Sequence, residues 1–178
     1  MGKTYKISCA GFGGQGVMSM GQLLTYAGMY EGKEVAWVPS YGPEMRGGTA
    51  NCSVIVSDEP IGSPIVGKPD VLVAMNLPSL DKYENEVVSG GKIFVDSTLI
   101  SRKVERTDVD VFYIPATAIA NEQGISTLAN MIITGKLLKE VPMLGFDGID
   151  APLSKVFSAR RANLLEVNKT ALKLGYDY

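Results

Sequence analysis

The sequence contains no histidine and only two cysteines, Cys9 and Cys52, in 178 residues. The missing histidine removes the usual general base, the usual activator of a nucleophile and the commonest transition-metal ligand together, so Ser-His-Asp and Cys-His chemistry are excluded. The two cysteines lie far apart and form no CxxC pair, which argues against an iron–sulfur cluster or a zinc site within the chain and predicts two buried thiols. Charge is also sparse and mixed: 17 basic and 19 acidic residues with no block of like sign leave none of the basic footprint of a nucleic-acid binder. No apolar run is long enough to cross a membrane. The start, Met1-Gly2-Lys3-Thr4-Tyr5-Lys6, has neither a leader pattern nor a myristoylation signal, since Lys6 stands where Ser or Thr is needed. A soluble cytoplasmic protein is expected, with small ligands and protein partners as the remaining options.

At this length one domain spanning 1–178 is expected, able to bury ~70% of the surface exposed by its unfolded chain. Glycine is abundant and placed. In Ile7-Ser8-Cys9-Ala10-Gly11-Phe12-Gly13-Gly14-Gln15-Gly16-Val17 a short apolar run breaks into four glycines and resumes with helical periodicity, which reads as strand, tight turn, helix. Gly11, Gly13 and Gly16 fit the G-x-G-x-x-G spacing in which bare backbone lets a phosphate approach the N–H groups opening a helix. The same glycines also suit close packing of a strand on a helix with no ligand.

The first helix is expected from about Gly14 to Tyr30, with Val17, Met20, Leu24 and Ala27 on one face and Gly21 and Gly28 beside them for close packing on the sheet. Gly32 ends it. A strand over 34–38 stops at Pro39, and its carboxyl end carries Val38-Pro39-Ser40 where an NAD site has an acid for the ribose hydroxyls; Glu31 and Glu34 sit at the strand's entrance. NAD binding therefore loses support. Next comes Ser40-Tyr41-Gly42-Pro43-Glu44-Met45-Arg46-Gly47-Gly48-Thr49, expected at the carboxyl edge beside the glycine turn, where Tyr41, Glu44 and Arg46 are either solvated or held towards a ligand.

Further strands are expected over 49–56, 70–75, 92–96 and 110–114, with a helix from about Pro78 to Val88 that turns Leu80, Tyr83 and Val87 inward and ends at Gly90-Gly91. The last third turns helical, from near Thr117 through Leu128 to Lys139, with a final helix carrying Leu164, Val167, Ala171 and Leu174; Asn121, Glu122, Gln123 and Asn130 are assigned to helix caps. The fold class is α/β: a Rossmann-like three-layer domain, mainly parallel with some antiparallel pairing and a helical C-terminal third. The residues alone leave three readings open: a non-autonomous enzyme subunit, a stand-alone dinucleotide-binding oxidoreductase, and a structural partner whose glycine turn binds nothing.

GFGGQG, followed at this distance by SYGPEMRGG, then by SDEPIGSPIVGKPDVLVAMN and a helix containing ANMIITGKLL, closely resembles the gamma subunit of 2-oxoacid:ferredoxin oxidoreductases over essentially the whole chain. The pairing of the glycine turn with YGPEMRGG is the specific part. The resemblance implies oxidative decarboxylation of a 2-oxo acid on thiamine diphosphate, transfer of electrons through iron–sulfur clusters to ferredoxin, and release of an acyl-coenzyme A. It implies that thiamine-binding alpha and beta subunits and a ferredoxin-like delta subunit hold the thiamine and the clusters, while this chain packs on them and completes the coenzyme A site. Gly11, Gly13, Gly14, Gln15, Gly16, Tyr41, Glu44 and Arg46 are the cofactor-binding candidates, with no catalytic or metal residue in the chain. The wording SYGPEMRGGTANC looks more like 2-oxoglutarate or branched-chain 2-oxoacid enzymes than pyruvate enzymes.

From this ligand inventory the purified chain alone is expected to be colourless above its aromatic absorbance, to carry no tightly bound metal, and to turn over no 2-oxo acid with coenzyme A and an electron acceptor. Metal analysis and absorbance spectroscopy check this, and stoichiometric iron and sulfide in a cleanly folded sample would contradict it.

Overall fold

The structure, a computed structural model, describes residues 2–40, 49–157 and 162–178. Six strands, β1 (Thr4–Phe12), β2 (Glu34–Ser40), β3 (Thr49–Ser57), β4 (Val71–Ala74), β5 (Lys92–Asp96) and β6 (Asp110–Ile114), form one sheet in the order β2-β3-β1-β4-β5-β6. β1, β4, β5 and β6 run parallel. β3 is antiparallel to both neighbours, pairing from Thr4 opposite Ser57 to Phe12 opposite Thr49 on one side and from Glu34 opposite Ser57 to Ser40 opposite Asn51 on the other. Too few residues separate β2 from β3 for a parallel crossover, so the two must run in opposite senses. β2 thus points the same way as β1, and both end at the same edge.

The helices are α1 (Val17–Tyr30), α2 (Leu77–Tyr83), α3 (Ala116–Glu122), α4 (Ala129–Glu140), α5 (Asp150–Val156) and α6 (Ala162–Asp177). Alternation along the strands divides the core. Ile7, Cys9, Val54, Val56, Val73, Phe94 and Ile114 pack against Leu24, Ile132, Leu153 and Leu172 of α1, α4, α5 and α6 on one face. Leu72, Ala74, Ile93 and Val95 pack against Leu80, Val87 and Ile100 on the other. β4 and β5, covered on both faces, are the strands written as continuous apolar runs.

Some boundaries move, each for a local reason. α1 begins at Val17 rather than Gly14 because Gly14 and Gly16 take φ of 93° and 76°, outside the helical region. It ends as expected: the N–H of Gly32 reaches the Met29 carbonyl and that of Lys33 the Gly28 carbonyl, the paired bonds of a Schellman stop. β2 runs through Pro39 to Ser40 instead of stopping at the proline, because an edge strand can spare one N–H. The expected helix over 78–88 gives way after Tyr83 to a 3-10 turn, Glu84–Glu86. The long helix expected from Thr117 to Lys139 is two helices, broken at Gly124 with φ of 70°, and α5 is an element the periodicity did not announce.

Gly21 and Gly28 do pack on the sheet: a Cβ at Gly21 would press on Cys52 and Trp37, and one at Gly28 on Val35. Cys9 and Cys52 are free, buried register partners on β1 and β3. The Cys52 thiol donates to the Val17 carbonyl at 3.3 Å, and the hydrogen bond with Cys52 together with full burial pushes the Cys9 thiol up. Among the described residues no helix is long and apolar enough to cross a membrane, and no group of three or more His, Cys, Asp or Glu could hold a metal ion.

The tightest packing is where α4 crosses α6. A Cβ on Gly135 would strike the Leu172 carbonyl, and a Cβ on Gly175 would strike the Ile132 carbonyl, so the two backbones touch directly. Gly135→Ala is therefore expected to cost about 2 kcal/mol or more, because the obstacle is backbone and cannot rotate away. Gly148→Ala, whose new methyl would meet nothing within 4 Å, should stay within about 0.5 kcal/mol of wild type. Urea denaturation of both variants tests the comparison.

Candidate functional site

β1 carries a buried apolar run, Ile7 to Gly11, to the carboxyl edge of the sheet, where the chain reverses through Gly13 and Gly14 into α1. The N–H of Gln15 donates to the Phe12 carbonyl at 3.1 Å and closes the turn. The Gln15 side chain does more: its Oε1 accepts the Phe12 N–H at 2.6 Å and its Nε2 donates to the Met75 carbonyl at 3.0 Å, which staples the turn to the end of β4. Gly11 is glycine for want of room, since a Cβ there would meet Gln15 Oε1 at 2.7 Å and Met75 at 2.9 Å. Gly14 differs. It is exposed, holds a positive φ, and a side chain at it would meet nothing within 4 Å.

Gly16 caps α1 in a left-handed conformation, φ 76° and ψ 25°, with no side-chain capping bond. Its carbonyl accepts the Met20 N–H at 3.1 Å and the Asn130 Nδ2 at 3.0 Å. The sequence reading gives Gly16 a packing role between helix and strand; the neighbour it actually abuts is Asn130, whose Nδ2 would collide with any Cβ. The peptide N–H groups of Val17, Met18 and Ser19, opening a helix of fourteen residues, find no acceptor among the described residues. They make the turn electropositive, in the manner of a helix N-terminus that holds an anion.

Most other polar groups at this edge have partners. Asp96, fully buried at the end of β5, accepts the Thr117 hydroxyl at 2.5 Å and the N–H groups of Thr98 at 3.1 Å and Thr117 at 3.4 Å. Asn76, just past β4, accepts the Ser79 N–H at 2.9 Å and starts α2. The strand reached by the first crossover, β2, ends at Ser40 and is separated from β1 by β3, so among the described residues no acid stands where a ribose-binding acid follows the glycine turn. Glu31 lies at the opposite end, accepting the Gly145 N–H at 2.6 Å. The dinucleotide reading finds no acid at the required place among the described residues.

Phe12, Leu77 and Leu99, the residues just at or beyond the ends of β1, β4 and β5, are exposed at 39%, 39% and 47% and give this edge an apolar margin. Tyr41, Glu44 and Arg46 lie outside the described residues. The strands on either side of that segment end at this edge, with Thr49 opposite Phe12 and Ser40 opposite Asn51, itself opposite Ala10. A hollow of about 660 Å³ lies elsewhere among the described residues, between Ile119 of α3, Phe146 and Lys169, Lys173, Leu174 and Tyr178. It is no anion site: Lys169 is bound to Asp150, which holds its ammonium above the usual lysine range, and Lys173 is bound to Asp177.

Of the four residues assigned to caps, Gln123 is the C-cap of α3, Asn121 and Glu122 lie within α3, and Asn130 is misassigned with the most consequence. It caps nothing; the N-cap of α4 is Leu128, and Asn130 sits in the first turn with its amide crossing to Gly16. The signal available was a lone amide inside an otherwise apolar stretch, Ala129-Asn130-Met131-Ile132-Ile133.

Residues 6–178 match the family model described as pyruvate ferredoxin/flavodoxin oxidoreductase. The ketoisovalerate oxidoreductase subunit VorA of Methanothermobacter thermautotrophicus is 40% identical over 177 residues, 97% of this chain and 36% of that protein. The 2-oxoglutarate synthase subunit KorC of Methanocaldococcus jannaschii is 35% identical over 175 residues, 97% of this chain and 92% of that protein. The chain thus spans about a third of the length of the VorA relative and nearly all of KorC. Among solved structures, the gamma subunit of a keto/oxoacid ferredoxin oxidoreductase from Geobacter sulfurreducens superposes with a TM-score of 0.82 at 27% identity, covering 97% of this chain and 96% of that one. The 2-oxoglutarate:ferredoxin oxidoreductase of Magnetococcus marinus, solved with 2-oxoglutarate, coenzyme A and succinyl-CoA bound, shares the fold with a TM-score of 0.88 at 24% identity, covering 98% of this chain and 31% of that one.

Because Gln15 closes the turn from both sides, Gln15→Ala is expected to lower stability by about 1–3 kcal/mol, the cost of two lost hydrogen bonds and an unpaired Met75 carbonyl. Chemical denaturation measures the loss. An unchanged unfolding midpoint would show that the staple contributes nothing.

Proposed function

The chain belongs to the pyruvate ferredoxin/flavodoxin oxidoreductase family as a gamma-type subunit of 2-oxoacid:ferredoxin oxidoreductases, and on that premise we propose that it completes the coenzyme A site of such an enzyme. The reaction takes a 2-oxo acid, coenzyme A and two oxidised ferredoxins to an acyl-CoA, carbon dioxide, one proton and two reduced ferredoxins. In this reading residues 1–178 act as one cytoplasmic gamma-type domain. Thiamine diphosphate and the iron–sulfur clusters belong to partner alpha, beta and ferredoxin-like delta components.

One observation carries the proposal: among the described residues the N–H groups of Val17, Met18 and Ser19 stand without acceptors behind an exposed glycine turn, at the edge where strands β2 and β3 meet the segment holding Arg46. Coenzyme A presents phosphates, and backbone donors plus a planar guanidinium are the groups that recognise them. The residues fit such a ligand, because a Cβ at Gly14 would meet none of the described residues within 4 Å and the apolar margin at Phe12 and Leu77 suits the body of a large cofactor or a partner chain. That a protein of this fold from Magnetococcus marinus binds coenzyme A and succinyl-CoA supports the reading. The 2-oxoglutarate and branched-chain acids are the favoured substrates, in keeping with the KorC and VorA relatives.

In the assembled enzyme, Gly13→Ala should raise the KM for coenzyme A and leave that for the 2-oxo acid unchanged. Arg46→Ala should do the same, and Arg46→Lys should rescue poorly because lysine lacks the planar fork. Steady-state kinetics across coenzyme A concentrations, with 2-oxoglutarate and 2-oxoisovalerate compared, test both the site and the substrate preference. Wild-type coenzyme A kinetics in all three variants would leave the turn a packing device and the chain a structural partner.

A further inference from the structure

Asn130 is 5% exposed, comes from a helix more than a hundred residues away in sequence, and donates its Nδ2 to the Gly16 carbonyl at 3.0 Å. That carbonyl belongs to the same planar peptide as the Val17 N–H, and in a trans peptide the two point in opposite directions. Pinning one therefore aims the other. Glycine at a positive φ is the residue least able to hold its own peptide plane, Gly16 has no side-chain cap, and the one other bond to its carbonyl among the described residues is from the Met20 N–H at 3.1 Å. Asn130 supplies that restraint from a rigid base: its carbonyl accepts the Thr134 hydroxyl at 2.8 Å, and α4 is held against α6 by direct backbone contact at Gly135 and Gly175.

The other half of the amide points to a specific need for the donor. Asn130 Oδ1 is buried and has no partner among the described residues. A leucine in this apolar stretch would avoid burying an unpaired acceptor, so packing alone does not account for the amide.

We propose that Asn130 is a positioning residue for coenzyme A: by holding the Gly16 carbonyl it fixes the direction of the Val17 N–H and its neighbours at the mouth of α1. This rests on the reading of the glycine turn as a phosphate-binding element. The test uses the assembled enzyme with Asn130→Asp, which keeps the size and replaces the donor by an acceptor, and Asn130→Leu, which removes all polarity. Gly13→Ala serves as the reference for the turn. Each Asn130 variant is expected to raise the KM for coenzyme A about tenfold, the value of one hydrogen bond, while kcat at saturating coenzyme A and the KM for the 2-oxo acid stay unchanged.

Wild-type coenzyme A kinetics in both Asn130 variants, with Gly13→Ala impaired, would overturn the role of Asn130 and leave the turn's role standing. Wild-type kinetics in all three would remove both. Equal rises in the KM for both substrates, or failure of both Asn130 variants to fold or assemble, would make the residue part of the fold and overturn the positioning role.

Discussion

The antiparallel ladder between β1 and β3 is the constraint on which the rest depends. It runs in unbroken register from Thr4 opposite Ser57 to Phe12 opposite Thr49, and it inserts one reversed strand between two that run the same way. Because of that reversal, the glycine turn after β1 and the segment after β2 are brought to one edge, and Thr49 starts its strand directly across from the residue that opens the turn. In a wholly parallel arrangement β2 would itself lie beside β1. Here β3 takes that place, and β2 ends one strand further out, at Ser40.

The electrostatics of that edge follow from which groups are already engaged. Asp96, Asn76 and Gln15 each join a strand end to the element beside it, so the edge is bound together by short polar contacts across the top of the sheet. Besides the buried Asn76 Nδ2 and Ser79 Oγ, the peptide donors at the start of α1 are left over among the described residues. They carry partial positive charge and cannot be titrated away, so an anion site built on them would be insensitive to pH over the range where its ligand's phosphates stay ionised.

Much of this was legible in the sequence. Strand positions, the strand–turn–helix at Gly11 to Gly16, the stop at Gly32 and the packing roles of Gly21 and Gly28 all follow from local rules about alternation, periodicity and glycine. What was not legible depended on distance. Asn130 reads as a cap because its partner is Gly16, and no local pattern connects the two. The break at Gly124 is hidden because the residues on either side keep helical spacing. Pro39 looks like a strand end until the sheet order shows that β2 is an edge. Gln15 lay inside the recognised motif, yet its side chain serves the turn's own shape, a division of labour that spacing cannot express.

The contact between α4 and α6 has a consequence for how such a chain can change over generations. Gly135 and Gly175 each face a carbonyl of the opposite helix and not one another, so a second replacement cannot compensate for the first. There is no stepwise route by which either position acquires a side chain while the helices keep their spacing. Variation in this half of the molecule is therefore channelled to the outward faces of α4 and α6, and the helix that holds Asn130 against the turn is kept in place by positions closed to drift.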